Sequence, residues 1–271
     1  MPGRRPLEII PDESVNALGK IIAVTNQKGG VGKTTTAINL SACVAEAGRR
    51  TLLVDIDPQG NATSGLGKAG EGELSVYDVL VEGSPAADAV LDTGYDGLKL
   101  IPSGIELAGA EIELVGIEDR ERLLKNALDA LRPDYDYIFV DCPPSLGLIT
   151  LNALTAADSV LVPIQCEYSA LEGVGQLMNT VKLVKKRLNP ELKVEGIVLT
   201  MFDARTNLGA QVVQEVRGHF AGEVFSTLIP RNVRLSEAPS YALPIHLYDP
   251  KCSGTVAYRQ LAGELIKRNE G

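Results

Sequence analysis

The sequence has no tryptophan, and its four cysteines are scattered along the chain. No two cysteines form a C-x-x-C motif, so the pattern does not support a zinc site or a redox pair. Each cysteine is interpreted as a small buried apolar residue, which favours a reducing cytoplasm. No apolar run approaches the ~20 residues of a membrane-spanning helix, so none is expected. Arg4 and Arg5 precede no apolar stretch, so a secretory signal is not expected either.

The chain of 271 residues has the composition of a globular protein, with 45% hydrophobic and 23% charged residues. We predict a single domain over residues 20–271, after a loose extension at residues 1–19. The net charge is −9, and residues 60–135, with 6 Lys/Arg against 15 Asp/Glu, hold the whole excess. This acidity argues against non-specific nucleic-acid binding by the chain as a whole, but it leaves room for a local basic face.

The stretch N-Q-K-G-G-V-G-K-T-T-T, at residues 26–36, lies between an apolar run at residues 21–24 and a helical pattern at residues 37–45. A glycine-rich loop between a strand and a helix is typical of a phosphate-binding loop. Glycine lets backbone N–H groups converge on phosphate oxygens, and the helix dipole favours the same anion. The stretch therefore predicts a nucleotide site.

Two side chains in this loop have predicted roles. Lys33 is expected to reach the terminal phosphates, and the Thr34 hydroxyl is expected to bind Mg²⁺. The loop departs from the usual motif, because Gln27 stands where glycine is common and Lys28 adds a second cation. A chance glycine-rich turn is the alternative, and the lysine at each end argues against it.

Acidic residues end two predicted strands. Asp55 and Asp57 follow the apolar run that starts at Thr51, and Asp141 follows the run that starts at Tyr135. Carboxylates at the ends of parallel strands lie at the ligand edge of an open sheet. Asp57 is placed to orient water or the metal shell, and Asp141 is placed to hold Mg²⁺ through water, in the manner of a Walker B motif. The alternative is that these acids cap the following turns, and it weighs more for Asp55.

Strands and helices alternate along the whole chain, which predicts an α/β fold resembling P-loop NTPases. The sheet should be mostly parallel and twisted, with helices on both faces. The other strands are predicted at residues 98–101, 159–164, 194–201 and 223–229. Further helices are predicted at residues 76–80, 86–91, 107–115, 120–131, 170–188, 211–220 and 256–267. Residues 58–64, 202–207 and 230–240 are predicted to be loops.

The sequence resembles the ParA/Soj-type chromosome partition ATPases of the MinD/ParA deviant Walker A family. The matching stretches are residues 26–36, V-D-I-D-P-Q-G-N-A-T-S-G-L-G at 54–67, F-V-D-C-P-P-S-L-G at 139–147, L-T-M-F-D-A-R-T-N-L at 199–208 and I-P-R-N-V-R-L-S-E-A-P-S at 229–240. The resemblance implies ATP and Mg²⁺ as cofactors and an ATP-dependent homodimer that sandwiches each nucleotide. It also implies non-specific binding of double-stranded DNA, hydrolysis stimulated by a ParB-type centromere-binding protein, and a cytoplasmic, nucleoid-associated protein.

The same resemblance implies a role for individual residues. Lys28 would cross the dimer interface to the partner's ATP, and Lys33 would bind phosphates in its own subunit. Asp57 would position the attacking water. The implied metal-site residues are Thr34, Asp57 and Asp141. The implied nucleotide contacts are Gly29, Gly30, Val31, Gly32, Lys33, Thr34, Thr35, Met201, Pro230, Arg231 and Asn232.

For DNA, the resemblance implies basic residues along one face of the dimer. Arg205 and Arg234 match such positions, and Arg217 is a weaker candidate. An ordinary surface or salt-bridged arginine is the alternative for each. Dimerisation would double a small basic patch on an acidic chain.

Three other functions are consistent with parts of the pattern. A MinD-like ATPase would position itself on membranes through a C-terminal amphipathic helix. A reductase resembling the nitrogenase iron protein would need paired cysteines to bridge a cluster, and the spacing of Cys142 and Cys166 does not fit. A non-enzymatic, ATP-gated scaffold would not need Asp57 and Lys28.

Overall fold

The computed structural model describes residues 18–167 and 170–270, in which eight strands form one sheet of order β3-β4-β2-β5-β1-β6-β7-β8. Only the pairing of β3 with β4 is antiparallel. The predicted α/β fold with a mostly parallel sheet is therefore confirmed. The strands are Lys20–Val24 (β1), Thr51–Asp55 (β2), Leu91–Tyr95 (β3), Leu98–Ile101 (β4), Tyr137–Asp141 (β5), Ser159–Gln165 (β6), Lys193–Phe202 (β7) and Val224–Pro230 (β8).

Ten α-helices lie within the described residues, most of them between consecutive strands. They are Lys33–Glu46 (α1), Asn61–Gly65 (α2), Leu107–Glu113 (α3), Leu123–Asp129 (α4), Leu148–Ala156 (α5), Ala170–Arg187 (α6), Asn207–His219 (α7), Val233–Glu237 (α8), Ile245–Tyr248 (α9) and Ser253–Glu270 (α10). A π-helix at Asp78–Glu82 and short 3₁₀ turns complete the set. No described helix is long and apolar enough to cross a membrane.

Two hydrophobic cores cover the two faces of the sheet, because successive strand residues point to opposite sides. Ile21 and Ala23 pack into one core with α3 to α7. Ile22 and Val24 pack into the other with α1 and α10. With both faces covered, β1 is apolar throughout, as expected for a buried parallel strand. The carboxyl ends of the parallel strands consequently form one edge, where the predicted nucleotide and metal-site residues lie.

Several local predictions were wrong. Residues 58–64 and 230–240 were predicted to be loops, but they contain α2 and α8. Side-chain hydrogen bonds explain both helices. Asp55 accepts from the Thr63 N–H near the start of α2, and the Asn232 side chain accepts from the Arg234 N–H at the start of α8. The strand β3 and the helices α5 and α9 were not predicted, and α4 is shorter than the pattern suggested. Residues 1–17 of the predicted extension lie outside the described residues.

Candidate functional site

The glycine-rich loop joins β1 to α1 and lines an open cleft of about 350 Å³. Gly30 and Gly32 have φ angles of 74° and 86°, a region that strongly favours glycine. A Cβ on Gly29 or Gly30 would meet no atom within 4 Å, so the loop backbone is open to a ligand. The residues lining the cleft are Gly29, Gly30, Gly32, Lys33, Thr34, Thr35, Asp57, Gln59, Asn61, Pro144 and Met201.

Neighbouring strands hold this loop in place. The buried Asn26 side chain donates to the Pro163 carbonyl of β6 at 2.8 Å and accepts from the Lys28 N–H at 3.0 Å. The Thr200 hydroxyl of β7 donates to the Val31 carbonyl at 2.8 Å. Val31 is itself buried, so only its backbone is available to a nucleotide. The loop is thus preorganised before any ligand binds.

Lys33 is folded back across the loop and is almost fully buried. Its Nζ donates to the Lys28 carbonyl at 3.1 Å. Burial lowers the pKa of Lys33, while the charges of Asp141 and Asp57 raise it. An anion in the cleft would offset the cost of burying this ammonium group.

Asp55 is a structural acid behind the cleft. Its fully buried carboxylate accepts from the Asp57 N–H at 3.1 Å and from the N–H and hydroxyl of Thr63, each at 2.8 Å. Burial raises its pKa to about 6, although these hydrogen bonds act in the opposite direction. The contacts match the capping alternative considered for Asp55. They also fix the backbone at Asp57, whose carboxylate borders the cleft and accepts from the Gln59 N–H at 3.0 Å.

Asp141 has the chemistry expected of a metal-site acid. Both carboxylate oxygens are buried, and neither makes a hydrogen bond of good geometry to the described residues. Burial raises its pKa well above the usual range and the nearby Asp55 adds to this, whereas the Thr34 hydroxyl and Lys33 lower it. A divalent cation would satisfy the orphaned oxygens.

The described residues hold no cluster of three or more His, Cys, Asp or Glu that could hold a metal ion. A cation at Asp141 would therefore need other ligands, such as the Thr34 hydroxyl, phosphate oxygens and water. Mg²⁺ commonly binds in this way, since it keeps several waters and uses one or two protein ligands together with substrate phosphates. The residues present fit Mg²⁺ bound with a nucleotide.

Asp141→Asn is expected to raise the free energy of unfolding of the nucleotide-free protein by about 1–3 kcal/mol at pH 8. It removes a buried carboxylate whose oxygens lack a good hydrogen bond and whose charge Lys33 only partly offsets. Because the folded-state pKa of Asp141 is raised, the wild type gains stability as pH falls toward the usual carboxyl pKa. The difference should therefore shrink at pH 5. Urea unfolding at both pH values measures it, with Asp92→Asn on exposed β3 as the control. A variant less stable than the wild type at pH 8 would contradict this account of Asp141.

A second cavity of about 340 Å³ adjoins the first, and the two share Gly32, Thr35 and Met201. Met201 has φ 53°, a strained conformation for a residue with a side chain. The Asn232 amide donates to the Ser253 hydroxyl at 2.9 Å, and its oxygen caps α8. The other lining residues are Thr200, Ile229, Pro230, Arg231, Val233, Leu235, Ser236 and Tyr258.

Thr200 and Tyr258 were missed by the sequence reasoning. Thr200 lies directly before Met201 within residues 199–208, a stretch that the sequence analysis had matched to the family. Its position could therefore have identified it as a site residue. Tyr258 lies on α10, far along the chain, and its hydroxyl is 3.2 Å from the Thr36 hydroxyl on α1. No local pattern in the sequence connects these two helices.

Lys28 lies at the exposed side of the loop and forms an ion pair with Glu167, just beyond β6. Its side chain remains 41% exposed, in contrast to the buried Lys33. Lys28 is absent from the residues lining its own subunit's cleft. The two lysines of the loop are thus placed differently, one inside the cleft and one toward its outside.

The three predicted DNA-contacting arginines do not lie together. Arg205 follows β7 and Arg234 follows β8, so both lie at the carboxyl ends of adjacent parallel strands. Arg205 pairs with Asp203, and Arg234 pairs with Glu237. Arg217 instead lies late in α7 and donates to the Ser226 carbonyl, in the first half of β8.

Comparison with known proteins gives consistent matches. A family model for an AAA domain matches residues 19–194. The chain is 61% identical to the sporulation initiation inhibitor protein Soj of Bacillus subtilis, over 92% of this chain and 98% of that protein. It is 57% identical to the chromosome partitioning protein ParA of Myxococcus xanthus, over 93% of this chain and 89% of that protein.

Among solved structures, cobyrinic acid a,c-diamide synthase from Mycobacterium smegmatis, with bound ADP and magnesium, aligns with a TM-score of 0.83. The identity is 40%, over 94% of this chain and 96% of that chain. The sequence identity to the Soj and ParA relatives is higher than the identity to this synthase, over a similar share of the chain. The chain therefore belongs to the ParA/Soj family of chromosome partitioning ATPases.

Proposed function

We propose that this protein binds Mg²⁺-ATP as a sandwich dimer, binds double-stranded DNA without sequence preference, and hydrolyses ATP when a ParB-type partner stimulates it. The observation that carries the proposal is that Lys33 and Asp57 line one cleft, and that the buried Asp141 carboxylate is close enough to interact electrostatically with both. Phosphoryl transfer needs mainly positioning and neutralisation of charge, and these groups supply both. A related solved structure contains bound ADP and magnesium, which supports a nucleotide with Mg²⁺ in this cleft.

Each group in the cleft would have a separate role in nucleotide binding or hydrolysis. The loop backbone and Lys33 would hold the phosphates, and Thr34 with Asp141 would hold Mg²⁺, which neutralises charge on the phosphate oxygens when bound. Asp57 would orient the attacking water. Met201 and residues 230–232 would flank the adenine in the adjoining cavity. The strained Met201 backbone lies where the two cavities meet, which supports a single nucleotide spanning both.

Lys28 would make turnover conditional on dimerisation. Its half-exposed ammonium group could leave Glu167 and reach a phosphate of the partner's ATP, as an arginine finger supplied by another subunit does. The DNA contacts would come from Arg205 and Arg234 at one edge of the sheet, whereas Arg217 lies apart on α7, beside the first half of β8. In a dimer this patch occurs twice, which would raise its affinity for a phosphate backbone.

The proposal is tested by measuring binding to an unrelated DNA duplex, first with ADP and then with ATP under conditions that prevent hydrolysis. We expect binding with ATP only, weakening steeply as salt rises, because phosphate contacts release counterions. Absence of DNA binding in both states would overturn the DNA part and leave the nucleotide site intact.

Arg234→Glu is expected to keep ATP-dependent dimerisation and to lose DNA binding by about tenfold or more, because it turns a phosphate contact into a repulsion. Anisotropy with a labelled duplex measures the affinity, and size exclusion with trapped ATP measures dimerisation. Arg259→Glu is the matched control, since Arg259 is a surface arginine on α10 paired with Glu46. Unchanged DNA affinity in Arg234→Glu would refute its assignment.

The alternatives receive less support from the structure. A MinD-like role on membranes would need a free amphipathic helix, whereas α10 packs Tyr258, Leu261 and Leu265 into a core. Sedimentation with liposomes and ATP would detect such a role. A shared cluster would need exposed thiols, whereas Cys142 is fully buried and its pKa is raised by that burial.

A further inference from the structure

The helix α10 contacts both parts of the candidate nucleotide site. Its first residue, Ser253, accepts a hydrogen bond of 2.9 Å from the side-chain amide of Asn232, which lines the second cavity. Further along the helix, the Tyr258 hydroxyl lies 3.2 Å from the Thr36 hydroxyl in the first turn of α1. With a rise of about 1.5 Å per residue, Ser253 and Tyr258 lie about 7.5 Å apart along the helix axis. One element therefore contacts the second cavity and the helix that starts at the phosphate loop.

Tyr258 is enclosed between α1 and the second cavity. It is 1% exposed and lines that cavity, and Thr36 is fully buried beside it. Burial raises the pKa of the Tyr258 phenol, so the hydroxyl is a neutral hydrogen-bonding group at neutral pH. The Thr36 N–H donates to the Gly32 carbonyl at 2.9 Å. Gly32 and Thr35 line both cavities, so the contact from Tyr258 reaches the place where the cavities meet.

Other hydrogen bonds hold α1 and α10 in place. The Asn39 amide donates to the Thr35 carbonyl at 2.8 Å, and the Asn39 oxygen accepts from the Ile245 N–H of α9 at 2.7 Å. At the far end of α10, the Tyr137 hydroxyl of β5 donates to the Glu270 carboxylate at 3.0 Å. Because α10 is held at both ends, it can act as a fixed support for the first turn of α1.

The relative position of the two cavities matters for a ligand that occupies both. The covalent structure of a nucleotide limits the distance between its base and its phosphates. The first turn of α1 would hold the phosphates, and residues 230–232 would flank the base. These two parts of the chain must therefore lie at the correct spacing, and α10 is bonded to each of them.

We infer that Tyr258 is a positioning residue for the nucleotide, whose hydroxyl holds α1, through Thr36, at the spacing from Asn232 that lets one ligand occupy both cavities. The inference rests on the function proposed above. Loss of this hydroxyl would weaken a ligand that needs both cavities. It would spare a ligand that needs only the phosphate loop, because the hydrogen bonds from Asn26 and Thr200 to that loop remain.

Tyr258→Phe tests this inference, because it removes the hydroxyl and keeps the ring. The two probes are a non-hydrolysable ATP analogue, measured by calorimetry, and inorganic triphosphate, measured by competition against that analogue, each with Mg²⁺. We expect the affinity for the analogue to fall about three- to tenfold, as for the loss of one neutral hydrogen bond, with unchanged affinity for triphosphate. An equal loss for both probes would overturn the inference, and so would unchanged affinity for the analogue.

Tyr137→Phe is the matched control. It removes a buried hydroxyl that is bonded to the other end of α10, at the amino end of β5 and so at the opposite edge of the sheet. We expect it to leave the affinities for both probes unchanged. If it weakened the analogue as much as Tyr258→Phe does, general loosening of α10 would explain the effect, and the inference would fail.

Thr36→Val removes the same bond from the other side and serves as the test if Tyr258→Phe does not fold. We expect a similar loss of affinity for the analogue, and a double variant that loses no more than either single one. Additive losses would show that the two hydroxyls act separately, which contradicts the inference. Failure of the wild type to bind the analogue would instead overturn the proposed function, so the two failures can be told apart.

Discussion

Asp57→Ala is expected to lower the rate of ATP hydrolysis by about 10²–10⁴-fold while ATP still binds. The Asp57 carboxylate borders the phosphate cleft but bonds only to the Gln59 N–H among the described residues, so it remains available to orient a water molecule. Lys33, Thr34 and the loop backbone, which would hold the phosphates, are untouched by the change. The ATP-bound dimer should therefore accumulate rather than disappear.

Phosphate release under single-turnover conditions measures the rate, and equilibrium dialysis with ATP measures binding. Asp57→Asn separates the effect of charge from that of shape, since the amide oxygen can still accept from the Gln59 N–H. This variant should hydrolyse ATP nearly as slowly as Asp57→Ala. Asp92→Ala, an exposed acid on β3, should hydrolyse at the wild-type rate. Near-normal turnover in both Asp57 variants would exclude this residue from the chemistry.

The sheet was predictable because its central strands are apolar runs buried on both faces. Residues 21–24, 51–55 and 137–141 are all fully enclosed, and each is followed by a loop at the same edge. The phosphate loop was predictable for a different reason, namely that its glycines and lysines have spacing requirements that are local in sequence. Both signals depend only on neighbouring residues.

The missed elements lack such local signals. β3 contains Asp92 and Gly94, which disfavour strands, and it is held by pairing with β4. α5 is buried on almost every side, so it shows no amphipathic period. α2 and α8 depend on hydrogen bonds that the Asp55 and Asn232 side chains accept. Capping by Asp55 was considered only as an alternative, and capping by Asn232 was not predicted.

The site shows the same division. Lys33 was placed by the loop motif, Asp57 and Asp141 were placed by their positions at strand ends, and the structure brings the three close together. That Asp55 is satisfied by Thr63 while Asp141 is not depends on tertiary geometry. Two acids with the same position at a strand end therefore differ in chemistry, and only the folded arrangement distinguishes them.

Lys28→Ala is expected to leave ATP binding intact and to abolish the ATP-dependent dimer. The loop conformation should survive, because Lys28 holds it through its backbone: its N–H donates to Asn26 and its carbonyl accepts from Lys33. An alanine keeps both bonds. What it removes is a half-exposed ammonium group that would neutralise the partner's phosphates, and an uncompensated phosphate at an interface is costly.

Size exclusion with ATP under non-hydrolysing conditions measures the dimer, and DNA binding should fall with it, by about 100-fold if two patches act together. Lys28→Arg is the matched control, because it keeps the charge while changing its geometry. Lys33→Ala should fail one step earlier, at ATP binding, since Lys33 lies inside the cleft. A normal ATP dimer in Lys28→Ala would show that this lysine does not act across the interface. The same loop would then serve its own nucleotide alone, and the ion pair of Lys28 with Glu167 would have a role within one subunit.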